Sequence, residues 1–360
     1  MYGWLPNLTI DIGYAMLLPL LVTLSLTQHP AAPFDAATRI KDAIAVVRPV
    51  AYRSRRVDWD TLAEEMRHRV EGARDDIDML PAWAALAHGL GDGHSFVQPT
   101  PDAIAAWRER YGDRPLMSDA PPRPRPSSQF TKRAEIDAYT LTVDSDHDAE
   151  LITIPSVSGF DERAIAYASR LFGAVADVDP RTCGYILDLR GNTGGNVWPM
   201  LIGLSGLLGD GPQGRSEDAD GRIEDYAALK EGSAVVLAKQ GRGLTMMTID
   251  NWRPVPSLAA APVALLLDDA TASSGEGVAV AFAGRAFTRS FGGRTYGVAS
   301  SNEGYPLADG TNVVVTTAMM MDRDGRTYPD GIAPDQIVED EGQDPVDAAR
   351  VWLALQPACR

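Results

Sequence analysis

The chain has 360 residues, enough for two domains or for one large domain with additions. Its apolar fraction of 45% suits a protein that buries a substantial core. With 49 acidic against 33 basic residues, a net charge of −16 and no Lys/Arg-rich run, the composition argues against a nucleic-acid partner. Two cysteines, Cys183 and Cys359, make neither a metal motif nor a disulfide framework, and Cys183 reads as a small buried hydrophobe. The histidines lack metal-ligand spacing, so neither a metal nor another cofactor is expected.

Residues 1–33 hold an apolar stretch from Ile12 to Leu26, broken by Gly13, Pro19 and small polar residues. It is short for a membrane span and close to the length of a signal-peptide core. This segment is therefore expected to be a signal peptide or an N-terminal membrane anchor, although no Lys or Arg precedes Arg39. A hydrophobic helix packed on the domain, or a mis-assigned start, is the alternative. Export would put the protein in the cell envelope or outside the cell, with the N-terminus as its point of membrane association; if the segment is not a signal, a cytoplasmic location is expected.

Residues 34–98 read as a helical subdomain. Asp35 precedes Ile40, Ile44 and Val47; Asp58 precedes Trp59, Leu62, Met66 and Val70; Asp78 precedes Leu80, Trp83, Ala87 and Leu90. Each set has helical spacing behind a capping aspartate. The bundle delivers the loop Gly91-Asp-Gly-His-Ser95. Residues 99–150 form a loop-rich connector, densest in breakers at Ala120-Pro-Pro-Arg-Pro-Arg-Pro126, and read as solvated.

From 151 to 345 strands and helices alternate. Leu151–Pro155 is a strand, Asp161 starts an amphipathic helix, Tyr185–Leu189 is a strand, and Val197–Leu208 is helical. This order predicts parallel βαβ units, hence an α/β fold. Residues 209–262 are polar and Gly-rich, with short strand-like pieces at Ala234–Leu237 and Thr245–Ile249, and read as a small β insertion or a cap over the site. Val263–Leu267 is a buried strand, Asn312–Thr317 another, and 346–360 a C-terminal helix or tail.

Two turns carry chemistry. Asp268-Asp-Ala-Thr-Ala-Ser-Ser-Gly-Glu276 lies between a strand and an apolar helix, so it offers Ser273 or Ser274 at a helix start, where free N–H groups can hold an oxyanion. The bland reading is that Thr271 or Ser273 merely caps the helix. The second turn, Asp188-Leu-Arg-Gly-Asn-Thr-Gly-Gly195, ends in paired glycines that let backbone amides approach a ligand.

These two turns, with Leu90-Gly-Asp-Gly-His-Ser95 and Gly331-Ile-Ala-Pro-Asp335, resemble peptidase family S41, the tail-specific or C-terminal processing proteases. All four motifs stand in the family order. The resemblance implies a ClpP/crotonase-like core at 151–345 and a serine endopeptidase working through an acyl-enzyme on a peptide or unfolded-protein substrate. It points to Ser273 as nucleophile, because the family serine lies three residues before the Glu, with Ser274 the neighbouring alternative. The Ser274 N–H and that of Gly194 or Gly195 would form the oxyanion hole. The connector is too short for the PDZ domain that many members insert.

Many members use a lysine base, but Val298 stands at that position in Gly292-Gly-Arg-Thr-Tyr-Gly-Val298. The tricorn-core branch takes its base from the histidine of the Asp-x-His motif, which is His94 here. That branch orients the histidine with a Glu; the strict match falls on Tyr328, so Asp330 is the expected third residue, with Glu303 or none as alternatives. Asp188, Arg190, Asn192 and Glu276 read as structural. The acidic surface is compatible with a cationic peptide. A non-proteolytic binder on the same scaffold and a small-ester hydrolase are the rival readings, and the oligomeric state is open.

Overall fold

Side-chain caps start the first helices. In the computed structural model, which describes residues 34–116, 127, 129–130, 133–225, 228–237, 243–338 and 342–360, Asp35 accepts the N–H of Thr38 at 3.0 Å to open α1 (Ala36–Val47). Asp58 does the same for Thr61 at 3.1 Å to open α2 (Trp59–Arg69). The sequence expectations for 1–33 and for the Pro/Arg stretch at 120–126 lie outside the described residues. α3 (Leu80–Gly89) buries Leu80, Trp83 and Leu86. Asp78 does not cap it: it sits in a 3-10 turn opened by Asp75 and instead accepts from Arg74, Arg110 and Tyr111.

β1 (Phe96–Gln98) and α4 (Pro101–Tyr111) follow. α4 falls in the stretch read as loop-rich. Of its side chains only Ala103 and Trp107 are buried, so its periodic signal is weak. The Thr100-Pro101 pair was the available cue, a side-chain cap followed by proline at the first helical position.

The main sheet is built from β2 (Ala138–Thr142), β3 (Asp148–Thr153), β4 (Thr182–Asp188), with α5 (Glu162–Ala176) crossing between the last two. After β4 come α6 (Val197–Gly203), α7 (Ser205–Leu208), β5 (Gly211–Pro212), β6 (Arg215–Asp218), β7 (Ile223–Asp225), β8 (Ala228–Lys230), β9 (Ser233–Leu237) and β10 (Gly243–Thr248). Then follow β11 (Val263–Leu267), α8 (Ser274–Phe282), β12 (Thr288–Gly292), β13 (Ser300–Pro306), β14 (Asn312–Met321), β15 (Gln336–Ile337) and α9 (Pro345–Leu353). The main sheet runs β15-β12-β11-β4-β3-β2, parallel except for β2. Strand alternation sorts its side chains. Val263, Leu265 and Leu267 pack into the large core with α5, α6 and α8, while Ala264 and Leu266 pack with Ala349 and Leu353 of α9 on the other face.

Segment 209–262 contributes strands to two sheets. β6 joins β14, with β7 on its far edge, while β5, β8, β9 and β10 form a separate antiparallel sheet. β13 and β1 also pair with β14, and this second sheet carries the histidine loop. Cys183 and Cys359 are joined in a disulfide, which corrects the reading of Cys183 as an unpaired hydrophobe. α9 lies on the same sheet face as Cys183 and brings the C-terminal segment back to β4, a return that no local sequence pattern encodes.

Candidate active site

β4 and β11 are neighbours in the parallel sheet, with Asp188 opposite Leu266. Their following loops therefore emerge side by side, the arrangement that creates ligand sites at the carboxyl edge of α/β sheets. Asp268 fastens the two loops together. Its Oδ1 accepts the N–H of Ala270 and Thr271 in its own loop and that of Gly191 in the other, at 3.0 Å. Thr271 donates its hydroxyl to the Leu189 carbonyl, and Ala272 donates its N–H to the Asn192 carbonyl.

At the end of this turn Ser273 has φ 52° and ψ −117°. A non-glycine residue rarely adopts a positive φ, and holding one there costs about 1–3 kcal/mol. The surrounding bonds impose it. The Ser273 N–H donates 3.0 Å to Oε2 of Glu276, one turn into α8. Gly194 comes so close that a methyl group on it would lie 2.7 Å from Cβ and 3.1 Å from Oγ of Ser273. Gly195 is held as tightly, since its added Cβ would meet the Val157 carbonyl oxygen at 2.1 Å. Both glycines have positive φ, so glycine is required on both counts.

Ser274 donates its hydroxyl to the Gly195 carbonyl at 2.8 Å, which binds the helix start to the glycine loop and commits that hydroxyl. The Ser273 hydroxyl, half-buried, stands in a capping box toward the Glu276 N–H, as the capping reading expected, and donates to no acceptor among the described residues. The Gly194 N–H already donates to Oδ1 of Asn192 at 2.9 Å. Among the described residues the N–H groups of Gly195 and of Ser274, the first residue of α8, have no acceptor.

Glu276 is fully buried and accepts four bonds: from the N–H groups of Ser273, Gly297 and Val298 and from the Thr295 hydroxyl at 2.6 Å. Burial pushes its carboxyl above the ordinary range, against the pull of those four donors. Its role is to tie the serine turn to segment 295–298. Asp188, 1% exposed, is held by Arg133 and by Nε and Nη2 of Arg190. Asn192 donates to the Ile154 carbonyl. These three residues of the glycine loop are structural, as their sequence context suggested.

His94 is positioned by its own loop and by the second sheet. Asp92 accepts the N–H groups of His94 and Ser95 at 2.8 and 2.7 Å through one oxygen and the Ser95 hydroxyl through the other. The Ser95 hydroxyl accepts the N–H of Thr316 in β14, and Asn302 in β13 donates to the His94 carbonyl. Nδ1 of His94 lies 2.7 Å from Oγ of Ser300, the first residue of β13. Ser300 in turn donates its N–H to the Val298 carbonyl, and the Val298 N–H meets the same Glu276 oxygen that holds Ser273. A short chain of bonds thus connects the histidine to the serine turn.

The expected third residue stands apart from this chain. Asp330 is exposed, and its carbonyl accepts from Arg294. Glu303, also exposed, accepts the Tyr305 hydroxyl at 2.8 Å. No hydrogen bond among the described residues joins either carboxylate to His94. Tyr328 donates its hydroxyl to buried Asp322 in a turn of its own. Val298 is buried at the position where a lysine base would stand. Reading the sequence missed Ser300 and Asn302, which belong to no motif. The Asp92 turn was legible, because aspartate bonds backbone N–H groups two residues on.

A parallel α/β sheet whose neighbouring strand ends carry a positive-φ serine and a paired-glycine loop, beside a helical region, is the architecture of an S41-type protease fold. The chain belongs to peptidase family S41, whose model matches residues 151–338. It is 27% identical over 283 residues to the nisin-resistance protein of Lactococcus lactis subsp. lactis, covering 77% of this chain and 76% of that one. Its fold is similar to that of a lipoprotein from Streptococcus agalactiae, with a TM-score of 0.63, 22% identity and coverage of 89% and 97%. It is also similar to the photosystem II D1 C-terminal processing protease, with a TM-score of 0.55, 16% identity and coverage of 91% and 99%. Family membership makes the protein a peptidase, a hydrolase of peptide bonds.

Proposed function

We propose that the protein is a serine endopeptidase in which Ser273 is the nucleophile and His94 the general base. The observation that carries this reading is the strained Ser273 at the head of α8, with Gly194 against its hydroxyl. Nε2 of His94 takes the Ser273 proton as Oγ bonds the scissile carbonyl carbon. The oxyanion is received by the N–H groups of Ser274 and Gly195, helped by the positive end of α8. The proton then passes to the leaving amine, the C–N bond breaks, and an acyl-Ser273 ester remains. Water, deprotonated by the same imidazole, hydrolyses that ester and restores the serine. Neither metal nor other cofactor enters these steps.

A cationic peptide or unfolded segment is the favoured substrate. A cleft of about 470 Å³ is lined by Ser301 and by Asp218, Asp220, Glu224, Asp225 and Glu303, with Arg222 the one lining cation among the described residues. An envelope location is favoured by the Cys183–Cys359 disulfide, which persists in oxidising compartments. It is also in keeping with relatives named as a nisin-resistance protein and a lipoprotein. No helix among the described residues is long and apolar enough to cross a membrane. A fluorophosphonate probe tests the mechanism. Labelling lost in Ser273→Ala and strongly slowed in His94→Ala supports it; equal labelling of parent and Ser273→Ala refutes it. Profiling of proteome-derived peptides, with Ser273→Ala as control, separates a peptidase from a hydrolase of small esters.

A further inference from the structure

We infer that Ser127, Phe130 and Arg133 are positioning residues, a strap that holds the serine turn and the glycine loop at the spacing the oxyanion hole needs. This rests on the proposed roles of Ser273, Ser274 and Gly195. All three residues belong to the stretch read from sequence as a solvated connector, and the structure fastens them to both loops instead. Ser127 donates its N–H at 2.7 Å and its hydroxyl at 2.6 Å to one oxygen of Asp269, in the serine turn. Arg133 donates to Oδ2 of Asp188 at 2.6 Å, at the root of the glycine loop. The centroid of the Phe130 ring lies 4.2 Å from the guanidinium carbon of Arg133 and 4.2 Å from that of Arg190.

Charge explains why a phenyl ring stands there. Arg133 and Arg190 both bond Oδ2 of Asp188, so two guanidinium groups share one carboxylate that is 1% exposed. Asp344 lies farther from Arg190, at 3.9 Å. Two cations on one anion leave positive charge in a place poor in water, and an aromatic face attracts such charge. The ring therefore helps to keep both arginines on Asp188. Strand alternation puts Asp188 with Ile186 on the α9 side of the sheet, whereas α8, which Ser273 opens, packs on the other face. The strap thus grips the two loops from the face opposite α8. The oxyanion takes one N–H from each loop, those of Gly195 and Ser274, and each must lie about 2.7–3.1 Å from it. A change in loop spacing takes one donor out of reach.

The test is the phosphonylation of Ser273 by a fluorophosphonate in the full chain, resolved into kinact and KI. In that reaction the Ser273 Oγ–P bond forms, the P–F bond breaks, fluoride leaves and His94 takes the proton, while the phosphoryl oxygen occupies the oxyanion position. Phe130→Tyr keeps the ring face and is expected to react at the parental rate. Phe130→Leu keeps an apolar side chain without the ring face, and its kinact is expected to fall roughly tenfold, less than the loss of a whole oxyanion donor, with KI unchanged. Ser127→Ala loosens the other end and is expected to lower kinact about threefold, since the backbone N–H bond remains. Ser127 is exposed, so this variant covers the case of a poorly folded Phe130→Leu. Urea unfolding shows which variants are folded under the labelling conditions. A purely structural role would lower the unfolding midpoint and leave kinact of the folded protein intact. If every folded variant labels with parental kinact while Ser273→Ala stays unlabelled, the strap is overturned and the nucleophile assignment stands. If Ser273→Ala labels like the parent, the nucleophile assignment itself fails, and this inference with it.

Discussion

Ser273 donates its backbone N–H to Glu276 at 3.0 Å, within the first turn of the helix that the serine opens. The same carboxylate receives three further donors from segment 295–298, so one buried side chain fixes both the nucleophile's backbone and the segment leading to Ser300. Glu276→Gln turns an amide NH2 toward groups that are themselves donors. It is expected to destabilise the fold by about 1–3 kcal/mol and to slow Ser273 labelling. Urea unfolding and probe kinetics on the same preparation measure both.

The pH dependence of that effect has a definite sign. Burial raises the Glu276 carboxyl above its ordinary value of 4.5 in the folded state. The native chain therefore holds this proton more tightly than the unfolded chain does. The contribution of the group is fully present below pH 4.5 and is lost as pH rises through the folded value. The stability of the parent relative to Glu276→Gln is expected to fall as pH rises from 4.5 toward neutrality. A rise over that window would mean that the four donors outweigh burial.

Gly194→Ala puts a methyl group 2.7 Å from Cβ of Ser273 at a φ of 103°, where an L side chain is strained. Both partners are held by backbone bonds, so neither yields easily. The variant is expected to lose about 1–3 kcal/mol of stability and most of its fluorophosphonate reactivity. Gly72→Ala, with open space around it at a similarly positive φ of 78°, is the control for strain alone. Its labelling rate should match that of the parent.

Cys359→Ser opens the cross-link to Cys183, which spans 176 residues of sequence. Such links contribute about 2–5 kcal/mol, chiefly by restricting the unfolded chain. Leu353 and Ala349 still pack against the sheet in the variant, on the face opposite α8. The midpoint of urea unfolding should drop while Ser273 labelling at 25 °C stays close to parental. Adding reductant to the parent should reproduce the drop and leave the variant unchanged.

Asp188→Asn leaves Arg133 and Arg190 facing a neutral amide at a site that is 1% exposed. Breaking a buried pair from one side costs about 3–5 kcal/mol. The loss is local to the loop that carries Gly194 and Gly195, so labelling is expected to fall together with stability. Asp188→Leu, which also removes the acceptor, should not recover it, because the two guanidinium groups remain.

The sequence by itself determined the turns. A strand, Thr-Ala-Ser-Ser-Gly-Glu and an apolar helix, paired glycines after another strand, and an aspartate two residues before a histidine are local patterns. Short-range sterics and backbone bonding act within a few residues, so such patterns can be read without the fold. Tertiary structure decided which side chains meet. Ser300 reaches His94 across 206 residues, and Cys359 reaches Cys183 across 176. Both contacts depend on sheet order and register: β13 lies antiparallel on β14, which also pairs with the strand after the histidine loop, and α9 returns under β4. A serine in Val-Ala-Ser-Ser looks the same in sequence whether it faces solvent or an imidazole, since only the packing of distant strands gives its hydroxyl a partner.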